Sequence, residues 1–436
     1  MCQNALSPKT PETMKKLILI MAITALGSQM SACNQPSNSL KSEEITEDKI
    51  DTTMDNEPSP ILLTEPQRTF VADNNAFTLK FLKTVNAEDR SGKSFIYSPL
   101  SITYVLSMVN AAAEGATERE LEQTLGFHQG GIKAVNEFCK TLIDSLPKVD
   151  RQVQLNIANA IFVNKDYRLL KPYQKDMQKC YDALAESLDF ASEKSLNHIN
   201  GWCNKKTKGM IPSILSELNA TAVAYLLNAI YFKANWTDQF KEALTKNDTF
   251  TTAEGPVILP LMRQTNDYRY TKNDIFAAVD LPYGNGQWSM TVMLPEKGKS
   301  ADDVIDYLDK NGTSFTDQMR RRKVNLKLPR FETESSTSDL IGTMKKLGIY
   351  RVFGSEAEIP NMCGSGVYIS MMLQKARIKV NESGSEAAAV TVVMLEKSCA
   401  IQRDEPVVFH ADHPFVYAIR EASTGVILFV GKFTGK

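Results

Sequence analysis

Few residues in this chain have the types and spacing that chemistry needs. Four histidines occur, His128, His198, His410 and His413. None sits in an HExxH pattern or completes a Ser–His–Asp arrangement, and no Walker-type phosphate loop is present. His410 and His413 are three apart in a stretch that reads as strand. There they face opposite sides, which argues against a shared metal. Seven cysteines, at positions 2, 33, 139, 180, 203, 363 and 399, form no CxxC pair and suggest neither a zinc site nor a disulfide framework. Most read as small buried apolar residues. No enzyme signature emerges, and no cofactor or metal is expected. The stretch with an unusual chemical layout is Asn381-Glu-Ser-Gly-Ser-Glu-Ala-Ala-Ala-Val-Thr391.

Alanine favours helix, yet these alanines lie between two strand-like runs, 376–380 and 392–395. In an extended chain Ser385, Ala387, Ala389, Thr391, Val393 and Leu395 share one face. That face starts tiny and ends apolar, and Glu386 falls on the other side. Nothing on it resists burial between two existing strands. The plain alternative is a poorly packed edge strand of an α+β protein.

The elements around this stretch read as one large α+β domain. The 436 residues, 43% hydrophobic, are enough for a large core. A formal net charge of −1 argues against a nucleic-acid partner. The run Arg320-Arg-Arg-Lys323 reads as a solvated strand or loop face. Residues 71–82 have helical periodicity, with apolar Phe77, Leu79, Phe81 and Leu82. Pro99 follows a strand and occupies the first turn of a helix, 102–113. Gly115 then breaks that helix, and another starts at Glu118. Residues 155–163 alternate as a strand. Residues 226–236 are almost continuously apolar, as in a strand buried on both faces. Asn228, buried in that run, needs hydrogen-bond partners.

The segment Gly384-Ser-Glu-Ala-Ala-Ala-Val-Thr resembles the reactive-loop hinge of the serpins, whose pattern is Glu-x-Gly-[Thr/Ser]-Glu-Ala-Ala-Ala-x-Thr. The tail Asp412-His-Pro-Phe-Val-Tyr-Ala-Ile-Arg420 with Gly425-Val-Ile-Leu-Phe-Val-Gly-Lys-Phe433 resembles the family's last strands. Phe95-Ile-Tyr-Ser-Pro-Leu-Ser-Ile102 resembles its Asn-x-x-x-Ser-Pro-x-Ser opening. Asn228-Ala-Ile-Tyr-Phe-Lys-Ala-Asn-Trp236 resembles its Asn-x-x-[Tyr/Phe]-Phe-Lys-Gly-x-Trp strand, with Ala234 where Gly is usual. Val324-Asn-Leu-Lys-Leu-Pro-Arg-Phe331 resembles another strand of the central sheet. The likeness covers residues 69–436.

It implies three β-sheets, about eight or nine helices and an exposed reactive loop able to enter the central sheet. It implies a monomeric suicide inhibitor of serine proteases, with papain-like cysteine proteases left open. The hinge would be Glu382, Gly384, Ser385, Glu386, Ala387, Ala388, Ala389, Val390 and Thr391. Counted from the hinge, the scissile bond is Ser398–Cys399, with Lys397 one residue away. Counted back from Pro414, it lands near Arg403. Glu382 would pair with Arg330. A cluster under the sheet would hold Ser98, Ser101, Asn228, Gln374 and Trp236, with Gln374 where the family has His. Ser385 is expected to be exposed in the loop of the native state. A serpin-fold binding protein without inhibitory activity is the second reading. An envelope hydrolase is a third, and it lacks a nucleophile–base pair.

Ahead of the domain, Met14-Lys-Lys16 and the apolar residues 17–26 read as a signal peptide. Met30-Ser-Ala-Cys33 resembles a bacterial lipobox, making Cys33 a lipid attachment site. Residues 1–32 are then extension and signal, and 33–68 a flexible acidic tether. The expected location is a bacterial envelope, anchored to the outer membrane on its periplasmic or outer face.

Overall fold

The structure, a computed structural model, describes residues 57–335, 339–364, 366–385 and 405–436. In order the chain forms α1 (Glu65–Glu88), β1 (Phe95–Tyr97), α2 (Pro99–Asn110), α3 (Gly115–Leu125), α4 (Gly131–Ser145), β2 (Gln154–Asn164), α5 (Lys171–Tyr181), β3 (Leu184–Leu188) and α6 (Glu193–Lys206). Next come β4 (Ala224–Asn235), β5 (Lys246–Thr252), β6 (Gly255–Lys272), β7 (Phe276–Tyr283), β8 (Trp288–Pro295), α7 (Ala301–Asn311), β9 (Arg320–Pro329) and β10 (Phe331–Glu334). The remainder is α8 (Ile341–Leu347), the single turn α9 (Pro360–Cys363), β11 (Met371–Val380), β12 (Gly384–Ser385), β13 (Val407–His410), β14 (Phe415–Glu421) and β15 (Ile427–Phe433).

The central sheet has the order β10-β11-β12-β4-β2-β3. β2 and β4 pair antiparallel along nearly their whole length, so that Asn159 lies opposite Asn228. β4 is buried on both faces. One face meets the main core through α2, a largely apolar helix buried all round. The other face packs Ala158, Phe162, Tyr225 and Leu227 against Ile199 and Cys203 of α6.

The remaining strands form a nine-stranded sheet, β1-β15-β14-β8-β7-β6-β9-β13, with β5 on β6. β6 is the reason that two of the three expected sheets read as one ladder. Its 18 residues pair with β5 over 255–261, with β9 over 261–270 and with β7 over 269–272.

Two expectations about strands and boundaries need correction. Residues 324–331 do not form one strand of the central sheet. Residues 324–329 belong to β9 in the nine-stranded sheet, and only β10 pairs with β11. The chain changes sheets at Arg330, whose N–H bonds to Pro260 instead. The domain also begins before Thr69. α1 starts at Glu65, and the side chains of Ile61 and Leu63 are buried in the core. Both are apolar residues in an otherwise polar run, so burial favours docking them.

Candidate functional site at the parting of the central sheet

β11 and β4 run parallel and in register from Met371–Tyr225 to Ala376–Ile230. Beyond that point they part, and β12 lies between them. Ser385 pairs with Val380 on one side and with Ala234 on the other, and Gly384 pairs with Asn235. The chain reaches this position through a turn in which Asn381 Oδ1 accepts from the N–H groups of Ser383 (3.0 Å) and Gly384 (3.2 Å). Gly384 has φ of 153°, and a Cβ there would stand 2.1 Å from the carbonyl oxygen of Ala234. Only glycine lets the hinge backbone approach β4 so closely.

Ser385 is completely buried, which corrects the expectation of an exposed hinge serine. The reason is local. A small side chain fits the gap, and its hydroxyl is 2.7 Å from the Tyr283 hydroxyl. Tyr283 is itself buried, and burial pushes its hydroxyl pKa up, so it stays neutral. Tyr283 stacks on Trp236 with ring centroids 4.3 Å apart. Trp236 Nε1 donates to Asn381 O (2.9 Å), and its backbone N–H bonds to Ser383 O (2.8 Å). Trp236 is therefore a clamp on the hinge turn, and is not part of the polar cluster in which it was expected. Trp236 lies just past the end of β4, eight positions from Asn228, about 26 Å at 3.3 Å per residue.

Glu382 and Arg330 meet as expected. Arg330 donates through Nη2 to Oε1 (2.5 Å) and through Nε to Oε2 (3.1 Å), and Thr245 Oγ1 donates to Oε1 (2.6 Å). The Glu382 side chain is 4% exposed and that of Arg330 46%. Burial pushes the Glu382 carboxyl up, but the bonds from Arg330 and Thr245 outweigh this and hold it below the usual carboxylate range.

Where β11 and β4 are still joined, a buried polar cluster lies beneath them. Gln374 Oε1 accepts from Ser98 N–H (2.8 Å), while Nε2 donates to Ser98 O (2.8 Å) and Asn228 Oδ1 (3.2 Å). Ser98 Oγ donates to Ser101 Oγ (3.0 Å). Asn228 Nδ2 donates to Asn159 Oδ1 (2.8 Å). Asn159 was missed in the sequence, although its place in Ala-Asn-Ala on the neighbouring strand was a usable signal. Gln374 fills both roles because an amide donates and accepts at once. Gln374→Leu should orphan the Ser98 N–H and weaken Asn228, at about 2–4 kcal/mol. A thermal melt of the variant should show a drop of several degrees; an unchanged melt would mean that the cluster does not hold the strands together.

Of the remaining expected site residues, Cys33, Glu386, Ala387, Ala388, Ala389, Val390, Thr391, Lys397, Ser398, Cys399 and Arg403 lie outside the described residues. Among the described residues no group of His, Cys, Asp and Glu is placed to hold a metal ion. Burial pushes the thiols of Cys139, Cys203 and Cys363 up to about 12, so they remain protonated and unreactive at neutral pH. No described helix is long and apolar enough to cross a membrane.

Comparison with known proteins agrees with this architecture. The model of the serpin (serine protease inhibitor) family matches residues 72–435. An uncharacterized serpin-like protein of Thermococcus kodakarensis is 31% identical over 364 residues, covering 82% of this chain and 84% of the relative. The leukocyte elastase inhibitor of Sus scrofa is 30% identical over 378 residues, covering 83% and 98%. Among solved structures, the native state of the thermophilic serpin tengpin superposes with a TM-score of 0.78 at 26% identity, covering 87% of this chain and 97% of that one. With the family match running through both sheets and the hinge between β11 and β4, the chain belongs to the serpin family.

Proposed function

We propose that this protein inhibits serine proteases as a suicide substrate, by loop cleavage, covalent trapping and insertion of the loop into the central sheet. The observation that carries this reading is β12, where Gly384 and Ser385 already form the first rung of an added strand between β11 and β4. Insertion from there lengthens an existing ladder and needs no new nucleus. The next inward positions, Ala387, Ala389 and Thr391, carry side chains small enough to follow. The chemistry is the protease's. Its serine displaces the amine of the scissile peptide bond and holds the acyl group as an ester. Insertion then carries the ester away from the water that would hydrolyse it. From Gly384 to Ser398 the strand would be about 50 Å long at 3.3 Å per residue, which is the displacement given to the enzyme.

The reactive bond is proposed as Ser398–Cys399, with cleavage beside Lys397 or Arg403 as the alternatives. Lys397 suits a trypsin-like pocket and Ser398 one for small side chains. The name of the porcine relative, a leukocyte elastase inhibitor, adds an elastase to the enzymes worth testing. The experiment is incubation with trypsin and with elastase, followed by boiling in detergent and gel separation. The expected product is a complex with the combined mass of enzyme and loop-cleaved inhibitor. Quantitative cleavage with no such complex, by either enzyme, opposes the proposal.

We further propose that Cys33 carries a lipid which holds the domain at a bacterial envelope. The lipobox-like Met30-Ser-Ala-Cys33 behind a short apolar run supports this. Mass spectrometry of the membrane fraction should find a diacylglyceryl group on Cys33. A mature chain that starts elsewhere and is soluble rules it out.

A further inference from the structure

Away from the hinge, α5, the outer strand β3 and α6 enclose an open groove of about 510 Å³. That volume lies in the range of small-molecule sites. One wall is a single stripe of α5, Lys171, Gln174, Lys175 and Gln178, spaced at helical intervals. The facing wall is Trp202 and Lys206 of α6. Two features are left unsettled by the protein itself. The acids of the groove are taken, since Asp182 pairs with Lys206 (3.5 Å) and Glu186 bonds to His198 (2.8 Å). Lys171 and Lys175 are exposed and have no acidic partner among the described residues. The Trp202 indole N–H is buried and has no acceptor among the described residues. Its ring is fixed edge-on against Phe162, with centroids 6.0 Å apart.

We propose that this groove binds a small organic anion with an aromatic body. The anionic group sits between Lys171 and Lys175, and the aromatic body lies against the ring of Trp202. Two free ammonium groups select negative charge, and the indole with the stems of the α5 side chains selects an apolar body. The site is independent of the inhibitory reading, because no hinge or loop residue contributes to it.

The test uses 2-naphthalenesulfonate as the probe and the full chain labelled with 15N on tryptophan. The chain has three tryptophans, so three indole N–H signals are expected, and Trp202→Phe assigns the relevant one. Titration should move the Trp202 signal saturably and leave those of Trp236 and Trp288 in place. The neutral analogue 2-naphthalenemethanol should bind at least about tenfold more weakly, as should the double variant Lys171→Glu/Lys175→Glu, a loss of about 1.4 kcal/mol. Both lysines are exposed, so the variant is expected to fold, and an unchanged melting curve verifies it. A Trp202 signal that stays put or moves only linearly overturns the proposal. So does equal binding of the neutral analogue or by the charge-reversed protein.

Discussion

Ser385→Arg should abolish inhibition and turn the protein into a substrate. Ser385 is completely buried at the parting of the sheet and bonded to Tyr283, so an arginine cannot occupy its place. In the native state the variant has an inexpensive escape. β12 withdraws from between β11 and β4, and the guanidinium goes into solvent. The loss is then the short ladder of Gly384 and Ser385 plus one hydroxyl bond, about 1–3 kcal/mol at roughly 1 kcal/mol per bond. During inhibition no such escape exists, because every inserted residue beyond 385 requires 385 to be buried first. An unpaired buried charge costs several kcal/mol, and each 1.4 kcal/mol on the insertion barrier slows it about tenfold. Deacylation then overtakes insertion, and complex formation should fall by more than about 100-fold. Gel separation after mixing with a protease that the wild type traps should show cleaved variant and no complex. The melting temperature of the uncleaved variant should fall by only a few degrees. Trapping at the wild-type level would remove Ser385 from the path of insertion.

Glu382→Lys should release the hinge and promote loop–sheet polymers. The substitution sets an ammonium group beside Arg330 in a site where the Glu382 side chain is 4% exposed. It also removes the acceptor of Thr245. Breaking a buried pair costs about 3–5 kcal/mol. Arg330 is nearly half exposed, and with that screening about 2 kcal/mol is a fair figure. Without the anchor, the turn that places β12 loosens and the gap between β11 and β4 stands open to another molecule's loop, the hazard of an unpaired strand edge. Native gels after mild heating should show a ladder of polymers at lower temperature and shorter times than for wild type. Equal rates would count against the anchor. Acid should act in the same direction. The Glu382 carboxyl is held below its usual range, so its contribution is complete above the ordinary carboxylate value of about 4.3. It is lost as pH falls through the lowered value in the folded protein. Polymerisation of wild type should therefore accelerate in that acid window, and Glu382→Gln should flatten the dependence.

The parts of this site that were legible in the sequence are those written in consecutive residues. Gly384 and the small residues after it mark by composition a face that nothing keeps from burial, and the resemblance to the serpin pattern reads that face as a hinge. Asn228 in an apolar run announces a need for partners, and the family pattern supplied Ser98 and Gln374, which the structure joins to it. The Glu382–Arg330 pair was anticipated in the same way. What could not be read depends on contacts between distant residues. The burial of Ser385 rests on Tyr283, 102 positions away. Trp236 was placed with the polar cluster because it closes the same apolar run as Asn228, but that run is long enough to put the two at different ends of the site. Residues 324–331 look like one strand because alternation of apolar residues continues through 324, 326 and 328, and nothing local shows that the chain changes sheets at Arg330. Ile61 and Leu63 are apolar residues at the end of the polar, acidic stretch 33–68, and their burial in the core draws that end into the domain.

The central claim is that the native sheet holds room for the loop and that cleavage releases it. The direct measurement is the thermal stability of the protein before and after a single cut in the loop between residues 386 and 404, made by a protease that is then removed. The account predicts a rise in melting temperature of tens of degrees, since the strand begun by Gly384 and Ser385 completes itself and the sheet closes around it. An unchanged or lower melting temperature would contradict it, and the chain would then be a serpin fold used for binding.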